Sequence, residues 1–200
     1  TLRLIVQGVE RIRILEYIAT SPYLAARIEV AAEPGAEGPE SEALRPPSLS
    51  GRTDPRAVPL VTIDPPDARD HDDAVYAEPD TSGGNDGGWI VLVAIADVSH
   101  FVRPNTKLDR EAVLRGNSVY FPDRVVPMLP HALSSDVCSL VEGQDRLTQT
   151  VVIDLDLRGR VEKTAFHDGV IRSAARLSYP QAQAIVDGDA GLRARFAGLV

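Results

Sequence analysis

Between Asp64 and Asp73 the chain places five aspartates in ten residues, Asp64, Asp67, Asp70, Asp72 and Asp73. An apolar run, Val58 to Ile63, leads into them, and Ala74-Val75-Tyr76 follows directly. The first run reads as a strand, so the carboxylates are expected at a strand end. Carboxylates this crowded repel one another, and each favours solvent, a proton or a counter-charge. Hard oxygen donors at this density suit Mg2+ or Mn2+, which prefer carboxylate and water to thiol or imidazole. A solvated acidic turn is the competing reading. The apolar flanks on both sides favour a cluster at a buried strand end, and with it a metal.

The rest of the chain sets the frame for that cluster. Residues 1–32 alternate apolar and polar positions (Leu2, Leu4, Val6, then Ile12, Ile14, then Ile28, Val30), the period of short strands with one buried face. Residues 33–57 are Ala, Glu, Gly, Pro and Ser without an apolar period, a composition that reads as a flexible linker. Residues 58–200 carry the remaining structure. No apolar run approaches the ~18 residues of a membrane-spanning helix, and the first residues lack the basic and apolar regions of a signal peptide. A cytoplasmic, membrane-free protein is expected. The single cysteine, Cys138, excludes an internal disulfide and a cysteine-built zinc site, and reads as a buried structural thiol. A net charge of −8 argues against autonomous binding to nucleic acid, because phosphate neutralisation needs Lys and Arg.

Beyond the aspartates, Pro79 to Gly88 reads as a hairpin loop, and Trp89 to Ala96 as a strand buried on both faces. That strand delivers Asp97 and His100 to its end; His100 is either a structural histidine or part of a site. Residues 106–115 read as a helix capped by Thr106 and closed by Gly116. The prolines around Val119 to Pro127 force an extended segment, in which Tyr120 and Phe121 are either core or a stacking platform for a base. Leu147–Leu157 and Val161–Val170 read as a hairpin about Gly159, and the second strand is expected to continue through Leu177. Helices are expected after Tyr179, with Pro180 in the first turn, and over 190–200. The fold class is therefore α+β, a mixed and largely antiparallel sheet with flanking helices.

The pattern Thr62-Ile-Asp64-Pro, Asp67-Ala-Arg-Asp70 and Asp72-Asp73-Ala resembles the first signature of the RNB catalytic domain of ribonuclease II and ribonuclease R exoribonucleases. The resemblance continues in order through Val93–Val102, Arg115–Pro130, Leu133–Leu140 and Arg172–Tyr179, covering about residues 50 to 200. It implies a hydrolytic 3′-to-5′ exoribonuclease that uses Mg2+, or Mn2+, on single-stranded RNA and releases nucleoside 5′-monophosphates. Carried over residue by residue, Asp64, Asp70 and Asp73 are metal ligands, and Asp72 is the carboxylate most critical for catalysis. Tyr120 stacks near the RNA 3′ end, and Tyr179 favours RNA over DNA near the ribose. Asp67 is a turn residue, His71 takes no ligand role, and Arg69 pairs with the carboxylates. A full RNB domain runs well past residue 200, so this chain alone is expected to be inactive or nearly so. Residues 1–32 are similar to part of the amino-terminal domain of Lon proteases. That similarity carries the alternative, a non-catalytic protein-interaction or chimeric fragment with a Lon-like substrate-binding hairpin.

Overall fold

The computed structural model describes residues 49–199. The Lon-like stretch and most of the linker lie outside the described residues. Six strands form one sheet: β1 (Val61–Asp64), β2 (Asp73–Pro79), β3 (Trp89–Ala96), β6 (Asp145–Leu155), β7 (Val161–Arg172) and β8 (Ala175–Ser178). Their order is β7-β6-β3-β2-β1-β8, antiparallel throughout except for the parallel pair β1 and β8. A separate two-stranded ribbon, β4 (Val119–Tyr120) with β5 (Val125–Val126), is the extended segment read from its prolines. Helices α1 (Val98–Phe101), α2 (Lys107–Arg115), α3 (Tyr179–Asp187) and α4 (Ala190–Arg195) and a π-helical turn, Leu133–Val137, complete the α+β fold.

The helix ends follow their local chemistry. Thr106 accepts a hydrogen bond from the Asp109 amide to cap α2, and Gly116 closes that helix at φ 74°, a conformation disfavoured for any residue with a Cβ. Ser178 and Gln181 exchange bonds in a capping box that starts α3, with Pro180 in its first turn.

The strand expected to run unbroken from Val161 to Leu177 instead stops at Arg172. After Ser173 and Ala174 the chain resumes as β8, at the opposite edge of the strand order. Two residues span only about 10 Å between strand ends, so the sheet must curl until its edges approach. Residues 53–57, read from composition as the end of a linker, fill that seam together with Val58–Leu60, the start of the apolar run. Thr53 bonds β7 on both sides, its N–H to the Asp168 carbonyl and its carbonyl to the Val170 N–H, and Ala174 N–H reaches the Leu60 carbonyl. Composition missed this because backbone pairing carries no side-chain signal.

Alternation along β2 divides the core. Ala74 belongs to one cluster with Leu60, Ala94, Leu147, Ile171, Phe101, Leu108 and Leu133. Val75 packs on the other with Val61, Leu177, Ile185 and Phe196, beneath α3 and α4. β3 is not buried on both faces as expected: Ala94 and Ala96 are buried, whereas Trp89 and Ile95 are exposed. The described helices of the second cluster cover only the β1–β8 side.

Candidate active site

One end of the sheet gathers the candidate residues. β1 ends there at Asp64, β2 begins at Asp73, β3 ends beside Asp97, and β8 ends at Ser178. Register makes the neighbourhood explicit: Asp64 faces Ser178, Asp73 faces Ile95, and the Asp72 carbonyl accepts the Ala96 N–H at 2.9 Å. The loop between β1 and β2 carries Asp67, Asp70 and Asp72, with Asp67 exposed in its turn.

That loop is tied down along its length. The Arg176 guanidinium, from β8, donates to the carbonyls of Pro66 at 2.7 Å and Ala68 at 3.1 Å. Ser139 Oγ donates to the Arg69 carbonyl at 3.1 Å and accepts the His71 N–H at 3.0 Å. Leu140 N–H reaches the His71 carbonyl at 2.8 Å.

Asp72 shows the electrostatic consequence. Burial first, then the charges of Asp70, Asp73 and Asp64, push its carboxyl above the usual range, while His71 pulls the other way. His71 is itself buried, and its Nδ1 donates to Asp64 Oδ2 at 2.8 Å. A histidine read as playing no ligand role thus holds one of the carboxylates from behind. Arg69, expected to pair with the aspartates, is exposed and forms no ion pair with a described carboxylate; its carbonyl is what the fold uses.

The two tyrosines arrive from different elements. Tyr120, 67% exposed on β4, feels the charge of Asp70 first, then burial, then Asp72, and its phenol is raised accordingly. The ring therefore stands beside the carboxylates and not in the core. Tyr179, 58% exposed, is the first residue of α3 and follows the residue that faces Asp64. Phe121 lies under the Arg124 guanidinium, 5.1 Å from ring centre to carbon.

A second polar group supports the sheet end. Asp97 caps α1, accepting from Ser99 Oγ at 2.8 Å and the His100 N–H at 3.1 Å. Arg52 reaches across from the seam to Asp97 at 2.5 Å and lies 3.4 Å from His100 Nδ1. Burial raises the Asp97 carboxyl, but Arg52 and Ser99 together overcome that, and its net shift is downward. Burial and then the charges of Arg52 and Arg103 lower His100.

Whether this end fits a metal can be tested on its donors. Asp64, Asp70, Asp72 and Asp73 offer only hard oxygens, and no Lys or Arg is among the largest influences on Asp72. In chemistry and charge that set fits a divalent cation. Among the described residues, however, no three His, Cys, Asp or Glu side chains converge as a ready chelate, and Asp64 is engaged by His71.

The RNB domain matches residues 52–195. The chain belongs to the RNB family. This RNB chain is 51% identical over 150 residues to ribonuclease R of Vibrio cholerae, covering 75% of this chain and 18% of that protein. It is 50% identical over 151 residues to ribonuclease R of Escherichia coli, with 76% and 18% covered. Ribonuclease R of Mycoplasma genitalium, solved with ribose-methylated single-stranded RNA, superposes with a TM-score of 0.69 at 33% identity, covering 76% of this chain and 24% of that one. The match therefore spans about a fifth of these curated relatives.

Proposed function

We propose that this RNB chain carries the carboxylate part of the active site of a metal-dependent, hydrolytic 3′-to-5′ exoribonuclease acting on single-stranded RNA. The observation that carries this reading is that Asp64, Asp70, Asp72 and Asp73 sit at one sheet end, near enough for the other three to raise Asp72, with Tyr120 beside them. Asp64, Asp70 and Asp73 would hold Mg2+, or Mn2+, and Asp72 is the carboxylate on which turnover depends. Bound there, the ion would supply positive charge to activate water and to offset charge on the attacking and leaving oxygens. Tyr120, exposed on the β4–β5 ribbon, stacks on a base at the 3′ end. Tyr179, beyond the partner of Asp64, contacts the ribose, where the 2′-hydroxyl separates RNA from DNA. His71 keeps Asp64 oriented. The ribonuclease R of Mycoplasma genitalium was solved with single-stranded RNA, which supports the substrate class. The RNB part is read as residues 58–200 extended back to Arg52, and the setting as the cytoplasm.

The test compares RNA and DNA of one sequence, incubated with the chain in Mg2+ and in EDTA, with products separated by ion-exchange chromatography. At high protein concentration only slow release of nucleoside 5′-monophosphates is expected, from RNA in Mg2+ alone, and its RNA preference should shrink in Tyr179→Ala. Products that are nucleoside 3′-monophosphates, or undiminished yield in EDTA, overturn the reading.

A further inference from the structure

The loop from Pro65 to Asp72 has no regular structure, so the aim of its carboxylates depends on what fixes its peptide groups. Arg176 holds the carbonyls of Pro66 and Ala68, before Asp70. Leu140 N–H holds the His71 carbonyl and Ala96 N–H holds the Asp72 carbonyl, after it. The two peptide groups that flank Asp70 itself are the Arg69 carbonyl and the His71 N–H. Both are bonded to one atom, Ser139 Oγ, at 3.1 and 3.0 Å.

Ser139 is fully buried, and these two bonds use its hydroxyl as both donor and acceptor. It is in turn held by its own backbone: Arg146 Nε, from β6, donates to the Ser139 carbonyl at 2.8 Å, and the Ser139 N–H reaches the Asp136 carbonyl at 2.8 Å. With both neighbouring peptide planes fixed, the backbone torsions of Asp70 have little freedom left, and its side chain leaves the loop in one direction.

We propose that Ser139 is a positioning residue that sets the direction of the Asp70 carboxylate through the two peptide groups beside it. The proposal rests on the reading of Asp70 as a metal ligand. Groups that orient ligands without touching the ion typically contribute about 10- to 100-fold in metal affinity, and Ser139 is expected to act at that level.

The experiment uses the full chain and four variants, titrated with Mn2+ by electron paramagnetic resonance and followed without metal by amide hydrogen exchange. Ser139→Ala is expected to speed exchange of the His71 amide and to weaken Mn2+ binding about tenfold or more. Ser139→Cys, of similar volume with a weaker donor and acceptor, should fall between it and the parent. Thr150→Val deletes an equally buried hydroxyl, bonded to Thr148 on β6, and should change neither readout. Asp70→Asn should weaken Mn2+ binding directly. Parental Mn2+ affinity in Ser139→Ala beside weakened binding in Asp70→Asn overturns the proposal alone. Equal losses in Ser139→Ala and Thr150→Val also overturn it, since the effect would then be general destabilisation. Parental affinity in Asp70→Asn overturns the carboxylate reading and this proposal with it.

Discussion

Replacing Arg52 by alanine removes one half of an ion pair whose side chains are 10% and 4% exposed. Breaking a buried pair from one side typically costs about 3–5 kcal/mol, because the remaining charge keeps its desolvation penalty. Asp97 would still accept from Ser99 Oγ and the His100 N–H, which places the expected loss at the low end, about 3 kcal/mol. The other Arg52 bonds, to the carbonyls of Thr148 and Gly169, are both 3.4 Å and add little. In a chain of this size about 1 kcal/mol moves the melting temperature by about 2–4 °C, so the melt should fall by roughly 6–12 °C. Urea unfolding followed by circular dichroism gives the free energy directly. The loss should also be smaller at pH 5.5 than at pH 8. Without Arg52, His100 loses one of the two cations that lower it, and a protonated imidazole can then pair with Asp97. A loss below about 1 kcal/mol, the level of an exposed pair, refutes the reasoning, as does a loss independent of pH.

In the parent chain the folded-state His100 is lowered below its unfolded value of about 6.5. Protons therefore favour the unfolded state, and urea titrations should show stability falling as pH drops below about 6.5. Asp97 has the same sign at lower pH: its folded-state value is depressed, so its contribution is present above about pH 4 and is lost as pH falls through the folded value. Cys138 is buried and pushed up to about 12, by burial first and then by the charges of Asp72 and Asp97. In the native chain at pH 8 it should resist a thiol-disulfide reagent and react only as fast as the protein unfolds; immediate labelling would contradict its burial.

The strands β3, β6 and β7 were legible from sequence as apolar runs bounded by turn residues, though not the one-sided burial of β3, as were the loop from Pro79 to Gly88 and the caps at Thr106 and Gly116. Those features are local, and their residues state their own conformation. The break at Ser173 was not legible, since apolar alternation runs through it and the parallel partner of β8 lies more than a hundred residues earlier. The aspartates announced themselves by density. Their support did not: Ser139, Arg176 and Arg52 act through backbone carbonyls and a distant carboxylate, contacts that spacing along a chain cannot reveal. His71 looked dispensable beside four aspartates, and only the curl of the loop brings its ring under Asp64.

The most direct test of the aspartate site follows 5′-labelled single-stranded RNA with the parent chain and with Asp72→Asn, at high protein concentration in Mg2+. The expected result is a slow ladder that shortens from the 3′ end in the parent and is absent in Asp72→Asn, while both proteins melt at similar temperatures. A ladder of equal rate in Asp72→Asn would contradict the assignment of this sheet end as the catalytic centre.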